Sequence, residues 1–300
     1  MRQISAVNRA KFIAARQAAY YVRDNMLVGL GTGSTAEFLV RLLGRRIREE
    51  RLHFRAVATS VRTAELGGDV GIDIIDLDHV AGLDLCIDGT DEFDGDYNLI
   101  KGAGGALLRE KIVANASRRF IVIADDSKKV DRLGSMPLPI EVTCYGWQTT
   151  ASMIEEMLRD IGQKSRGFQL RFLRQSPYLT DEGNFILDFS LVHINDADTL
   201  DTRLNEIPGV IDNGLFTGYA SEVVVGHRDG KISVHDCHTG LVKEEMIDMR
   251  RMVQEFCAVI DPEVPMLVVI DAESDITGQR YQEITRNPSG VLIRWLIWLR

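Results

Sequence analysis

Residues 84–111 read DLCIDGTDEFDGDYNLIKGAGGALLREK, in which an apolar strand runs into Asp88, Asp91, Glu92, Asp94 and Asp96, then Lys101, a glycine run and Glu110. Asp88 and Asp91 lie three residues apart, a spacing that lets two carboxylates grip sugar hydroxyls or, if their pKa values separate, exchange protons with them. Lys101 is a mobile cation able to balance those acids or to stabilise an oxyanion. Gly102, Gly104 and Gly105 expose backbone N–H groups to the same space. Glu110 falls in the first turns of the next helix, where the apolar GALL can shield it from water, and desolvation raises a carboxyl towards the range of a general base. Each feature has a plain counterpart. Most runs of Asp and Glu are solvated loops, and Arg109, Glu110 and Lys111 would equally make an exposed, salt-bridged helix face. The spacing of an EF-hand calcium loop, with its terminal Glu, is absent.

A second candidate is VGLGTGSTAEF, residues 28–38, a strand, a glycine turn and a helix start. A helix N-terminus has unpaired N–H groups and a partial positive charge, so it holds an anion without any basic side chain. Gly31 and Gly33 would let backbone approach a ligand, and Thr32, Ser34 and Thr35 add hydroxyls. The rival reading is a dinucleotide site, because Gly31, Gly33 and Ala36 satisfy the loose G-x-G-x-x-G/A pattern. Such a site also wants an acid at the end of the second strand, which here ends VATS. Three hydroxyls around the glycines fit a terminal phosphate better. A glycine turn needed only for packing is the plain alternative.

Lys128, in ADDSKKVDRLG after another apolar strand, is placed to reach a bound anion or to be an ordinary surface lysine, and Lys11 on the first helix has the same two readings. His235, Cys237 and His238 suggest a metal. Their spacing fits no standard zinc site, and on a strand His235 and Cys237 share a face that His238 does not.

Stepping along the chain, a helix is expected over 8–23, with Phe12, Ala15, Ala19 and Val22 at helical spacing. MLVGLG is a strand, and a helix from Ser34 to Arg48 is expected to open on a hydroxyl cap with Glu37 three residues later. FRAVATS, IDIIDL, LDLCIDG and RFIVIAD read as strands, VRTAELGGDV and GALLREKIVANAS as helices. Short apolar strands alternating with helices signal a mostly parallel sheet wrapped in helices. MPLPIEV, residues 136–142, marks a change of unit. After it come the helix TTASMIEEMLRDIG, the strands GFQLRFL and NFILDFSL, and the helix DADTLDTRLNEI capped by Asp196 or Asp198, a small α+β unit with an antiparallel sheet. GVIDNGLF and EVVVGHRDGKISV are expected to rejoin the first sheet. Beyond residue 240, GLVKEEMIDMRRMVQEFCAVI is an amphipathic helix, PMLVVIDA a buried strand, and GVLIRWLIWLR an apolar end that buries against the body or a second subunit.

The composition is that of an ordinary globular chain: 300 residues, 45% hydrophobic and 26% charged. A net charge of −9 argues against broad affinity for nucleic acid or anionic membrane, so an anionic ligand needs a local basic or N–H pocket. Cys86, Cys144, Cys237 and Cys257 form no CxxC pair, so neither a disulfide framework nor a zinc ribbon is suggested. The first residues lack the features of a signal peptide, and no run approaches a transmembrane span. The cytoplasm is the expected location.

Taken in order, GLGTGSTAEF, IDGTDEFD, KGAGGALLREKIVA, ADDSK, LGSMPLPIEV, TDEGNFILD, IPGVIDNGLF and VVVGHRDG resemble the ribose-5-phosphate isomerase type A family, over roughly residues 8–232. The resemblance implies a Rossmann-like α/β catalytic domain over 1–135 and 208–240, interrupted over 136–207 by a small α+β domain of ferredoxin-like type. It implies reversible conversion of ribose 5-phosphate to ribulose 5-phosphate through an enediol, with no metal or organic cofactor and a homodimer or homotetramer. Thr32, Gly33, Ser34 and Thr35 match the family's phosphate-side loop, and Lys11 a lysine near the phosphate. Asp88, Gly89, Thr90 and Asp91 match a second substrate loop, with Asp88 expected to help open the furanose ring. Lys101, Gly102, Ala103 and Gly104 match a third loop, Glu110 the proton acceptor and Lys128 a further substrate contact. Two features depart from the pattern: Ala103 stands where the family usually has glycine, and residues 241–300 are an extension of unassigned role. Two other functions would use parts of the same pattern. A non-catalytic phosphosugar sensor, as in some transcription regulators, would keep the GTGST loop without needing Glu110. A CoA-transferase relative would use a glutamate as nucleophile.

Overall fold

The computed structural model describes residues 5–260, together with two further strands of backbone at Gln282–Arg286 and Leu292–Leu296. Helix α1 (Ala6–Ala19) starts where the Ser5 hydroxyl accepts from the Asn8 N–H. It is followed by strand β1 (Leu27–Leu30), helix α2 (Ser34–Glu50), β2 (Arg55–Ala58), α3 (Val61–Asp69), β3 (Asp73–Ile74) and β4 (Leu85–Gly89). A short ribbon, β5 (Glu92–Phe93) and β6 (Leu99–Ile100), precedes α4 (Leu107–Asn115) and β7 (Phe120–Asp125). Strands β4 and β7 are almost wholly buried rather than alternating, as expected of parallel strands covered on both faces.

The chain then builds β8 (Leu138–Val142), α5 (Trp147–Asp160), β9 (Ser165–Leu170), the hairpin β10 (Phe172–Leu173) and β11 (Ser176–Pro177), β12 (Phe185–Leu191), α6 (Ala197–Asn205) and β13 (Val210–Asn213). These make a four-stranded antiparallel sheet in the order β13-β8-β12-β9. With one helix in each β-α-β half, this is the ferredoxin-like arrangement. Asp196, of the two acids expected as cap, is the one that caps α6, accepting from the Thr199 N–H at 2.9 Å. One face of the sheet carries a core of Leu138, Ile140, Val142, Leu187 and Phe189 against Ile154, Leu158, Leu200 and Leu204.

The chain returns through β14 (Leu215–Phe216), β15 (Glu222–Gly226), β16 (Lys231–Asp236), β17 (Val242–Met246) and α7 (Met249–Ile260). The large sheet runs β3-β2-β1-β4-β7-β15-β16-β17, parallel from β3 to β15 and antiparallel over its last two strands. The strand order reverses between β1 and β4, and ligands of open α/β sheets bind at such a point, beyond the carboxyl ends of the strands.

Three expectations change. GVIDNGLF does not rejoin the large sheet: β13 pairs with β8, and β14 pairs with β6 in the small ribbon. Residues 241–260 are not one helix, because β17 adds to the sheet edge before α7 begins. Ser34 is not the cap of α2. Gly33 holds that position at φ 111°, a left-handed value that a side chain would strain, and no side chain caps the helix. Helix α7 lays Met252, Phe256 and Val259 into the large-sheet core. Phe256 meets Phe12 at 5.1 Å and Phe38 at 5.6 Å between ring centroids. PMLVVIDA lies outside the described residues, as does the burial of the apolar end, of which only the backbone of 292–296 is described.

Candidate active site

The loops that leave β1, β4 and β7 at their carboxyl ends meet the glycine run before α4 around a cavity of about 90 Å³. Its lining is Lys11, Thr32, Gly33, Ser34, Thr35, Gly89, Thr90, Asp91, Lys101, Gly102, Gly104, Glu110 and Lys128, all residues singled out from the sequence. Asp88 and Ala103 complete that set without lining the cavity.

One end of the cavity is built for an anion. The first intrahelical bond of α2 runs from the Glu37 N–H to Gly33 O, so the N–H groups of Ser34, Thr35 and Ala36 precede the ladder. Lys11 Nζ donates to Ser34 Oγ at 2.9 Å, and Lys128 lines the same space. Thr32 lines the cavity with its hydroxyl turned to the protein. Its hydroxyl is held by Thr59 and Ser60, each at 2.8 Å, in a cluster that Thr63 joins and ties to Gly31 O. Thr32 therefore fixes the loop through its side chain. Gly31 is likewise needed by the protein, since a Cβ there would sit 2.0 Å from Asp88 Oδ1.

At the other end three ionisable groups are shut away from water. Asp88 is wholly buried: Oδ1 accepts from the N–H groups of Thr32 (3.0 Å) and Gly89 (2.6 Å), and Oδ2 pairs with Lys101 Nζ at 3.0 Å. Lys101, 2% exposed, also donates to Gly89 O at 2.6 Å, and its ammonium lies 5.5 Å from the Phe216 ring centroid. Glu110, 4% exposed in the first turn of α4, has Oε1 3.4 Å from the same ammonium, while its buried Oε2 has no hydrogen-bond partner among the described residues.

One cation cannot neutralise two buried carboxylates. Burial pushes the Glu110 carboxyl up to about 8; the Asp88 charge adds to this and Lys101 opposes it. Burial also raises Asp88, against the pull of Lys101 and two N–H donors. Burial disfavours the Lys101 ammonium, but Asp88 and Glu110 outweigh it and hold the group charged. The neighbours decide where the proton resides: Asp88 has two N–H donors and an ion pair at 3.0 Å, Glu110 only the same cation at 3.4 Å, so the exchangeable proton belongs to Glu110. A carboxyl of this kind, facing a cavity beside a fixed cation, can take and return a proton near neutral pH.

Neighbouring residues hold these groups in place. Asp91 Oδ2 accepts from the Ala103 N–H at 2.8 Å, and Ala103 is exposed and does not line the cavity. Thr90 spends its hydroxyl on Glu92 O and Ile100 O. Glu92 is a loop anchor that accepts from the Gly134 and Met136 N–H groups. Of the helix face Arg109-Glu110-Lys111, Arg109 reaches Asp181 and Glu182, the buried Lys111 donates to Asp212 at 2.6 Å and to Asn213 O at 2.8 Å, and Glu110 is the one that lines the cavity. His235 engages Ser233 at 3.2 Å and Tyr97 at 3.5 Å, and no group of three or more His, Cys, Asp or Glu side chains among the described residues is arranged around a common metal position. Thr59, Ser60 and Thr63 were missed in the sequence reading. The signal was present, since VATS also ends a parallel strand.

These features define a Rossmann-like α/β protein with a ligand cavity at the switch point of its sheet. Residues 55–230 match the family model described as ribose 5-phosphate isomerase A (phosphoriboisomerase A). The chain is 52% identical over 246 residues to ribose-5-phosphate isomerase A of Ruegeria pomeroyi, covering 82% of this chain and 94% of the relative. It is 51% identical over 247 residues to the protein of the same name from a Jannaschia species, with 82% and 94% covered. Among solved structures, ribose 5-phosphate isomerase A from Methanocaldococcus jannaschii superposes with a TM-score of 0.67 at 35% identity, covering 79% of this chain and 98% of that one. A D-ribose-5-phosphate isomerase in complex with phospho-erythronic acid gives a TM-score of 0.69 at 38% identity, covering 80% and 99%. The chain belongs to the ribose 5-phosphate isomerase A family. A match over 82% of the chain takes in 246 of its 300 residues and so reaches at least residue 246, past the 232 at which the sequence resemblance was expected to stop.

Proposed function

We propose that this protein interconverts ribose 5-phosphate and ribulose 5-phosphate through an enediol. The observation that carries the reading is the buried Asp88–Lys101–Glu110 group at one end of a cavity whose other end offers helix N–H groups and two lysines. A phosphate seated against Ser34, Thr35, Lys11 and Lys128 directs the far end of an open-chain pentose towards Glu110. The Glu110 carboxylate takes the proton from C2, the aldehyde oxygen gains a proton, and an enediol forms. Glu110 then returns its proton to C1 while the C2 hydroxyl loses one, leaving the ketose. Lys101 and the N–H groups of the glycine run offset the negative charge that develops on oxygen.

Within this reading Asp88 has a role other than direct ring opening. Enclosed behind Lys101 and outside the cavity lining, it holds the ammonium in place; Asp91, which lines the cavity, is the carboxylate besides Glu110 in reach of the sugar. A related isomerase is described in complex with phospho-erythronic acid, a phosphorylated sugar acid, which supports a phosphosugar as the ligand class. As further parts of the reading, the protein works in the cytoplasm as a homodimer or homotetramer without a resident cofactor. No helix among the described residues is long and apolar enough to cross a membrane.

The test is turnover of ribose 5-phosphate by the purified protein with EDTA present, with ribulose 5-phosphate as the expected product. Binding of the sugar phosphate without turnover would replace the isomerase reading with that of a sensor. Activity lost to EDTA and restored by a metal would defeat the cofactor-free part alone.

A further inference from the structure

Arg171 stands between β9 and the β10–β11 hairpin, far in sequence from the cavity and absent from its lining. Its side chain is 16% exposed and its guanidinium is divided between two tasks. Nε and Nη2 grip the two oxygens of Asp188 on β12, at 2.9 and 2.5 Å. Nη1 donates to the carbonyl oxygens of Gly102 at 2.8 Å and Ala103 at 3.2 Å. A cation is thus fixed on two successive peptide carbonyls of the glycine run, and its own orientation is set by a bidentate carboxylate. The same hairpin presses the loop a second time. Gly105 has φ +81°, and the Tyr178 hydroxyl lies 2.2 Å from where a Cβ would be.

The effect on the far side of each peptide follows from bond polarisation. A carbonyl bound by a cation makes the N–H of the same peptide a stronger donor. The Gly102 carbonyl shares its peptide with the Ala103 N–H, which Asp91 holds. The Ala103 carbonyl shares its peptide with the Gly104 N–H. That N–H has no partner among the described residues, and Gly104 lines the cavity. We propose that Arg171 is a positioning residue for the isomerisation, fixing the peptide between Ala103 and Gly104 and polarising it so that the Gly104 N–H donates to the oxyanion formed during proton transfer. The inference rests on the isomerase reading. It assigns the antiparallel sheet a part in transition-state stabilisation, through the Asp188–Arg171 pair.

The experiment compares Arg171→Met, Arg171→Lys and Asp188→Asn with the wild type in ribose 5-phosphate turnover, inhibition by inorganic phosphate and urea midpoint. Removing a full oxyanion donor lowers kcat by 10²–10³, so losing only its polarisation is expected to lower kcat of Arg171→Met about 10-fold or more. KM and the inhibition constant of phosphate should stay within about 3-fold, because the phosphate end does not touch Arg171. Arg171→Lys should recover part of kcat, and Asp188→Asn should fall between wild type and Arg171→Met. A merely structural role would lower the urea midpoint and leave kcat per folded molecule unchanged, which overturns the proposal. A rise in KM and in the phosphate constant at unchanged kcat also overturns it. Should Arg171→Met fail to fold, Asp188→Asn decides: lowered kcat at an unchanged phosphate constant supports the assignment, and wild-type kcat refutes it. A wild-type protein inert towards ribose 5-phosphate is a separate result. It defeats the isomerase reading and this inference with it.

Discussion

The two ends of the cavity use opposite means. At the anion end, donors are backbone N–H groups and two lysines on separate elements, α1 and the turn after β7, open to solvent and to exchange with it. At the proton-transfer end, two carboxyls and an ammonium are each under 5% exposed. Affinity for a phosphate needs many modest donors, because the anion brings its own charge and loses its own water. Proton transfer near neutral pH needs the reverse, since exclusion of water, helped by the Asp88 charge, lifts the Glu110 carboxyl from its ordinary range. Both ends border one cavity, lined by the loops after the parallel strands and by the segment that leads into α4.

The comparison is sharpened most by removing the shared cation. Lys101→Met leaves Asp88 and Glu110 buried without a counter-charge, and a loss of about 3–5 kcal/mol of stability is expected in urea denaturation. An unchanged midpoint would mean that the cluster is already neutral without the lysine. Glu110→Gln is expected to reduce turnover at least ~10²-fold, the lower end for a positioned general base, with little change in KM. Its pH behaviour separates charge from shape. Because the Glu110 carboxyl titrates at about 8 in the folded protein against an ordinary 4.5, wild-type kcat/KM should climb as pH rises through about 8, where the base ionises. For stability the sign is opposite. A raised folded pKa gives stability present below 4.5 and lost as pH rises to about 8, so Glu110→Gln should gain on the wild type across that window. A constant difference between the two proteins from pH 5 to pH 8 would refute the buried-acid assignment. The smallest effect belongs to the open end. Lys128→Ala removes one charge-assisted contact worth ~1.5 kcal/mol, for a rise of about 10-fold in KM at nearly constant kcat. That rise should shrink with added salt, which screens the contact that Lys128 makes in the wild type.

The legibility of the sequence followed the same division. Strand ends that run directly into Gly, Thr, Ser and Asp gave away the loops after β1 and β4, because only those residue types let backbone and hydroxyls face a ligand. Glu110 was legible from the apolar residues before it. Residues that act through others were not. Arg171 sits in an alternating strand pattern with no local mark, and its target lies 69 residues away in the chain. Thr32 was read as a ligand donor because its partners Thr59, Ser60 and Thr63 come together with it only once β1 and β2 pair. GVIDNGLF was assigned to the wrong sheet for a related reason. A four-residue strand and a two-residue strand joined at Gly214 carry too little pattern to name their partners, and the choice is made by the edge of β8 and by the buried Asn213, which donates to Asp201.

The packing of α7 has a consequence in time. Phe12 belongs to the first helix described and Phe256 to the last, so their rings meet only after the 243 residues between them have been made. The antiparallel sheet is contiguous from residue 138 to 213 and closes its core without either end of the chain. A nascent chain therefore has the Asp188–Arg171 pair available before the large-sheet core can be completed, and every molecule cut short before α7 lacks the ring that packs against Phe12 and Phe38.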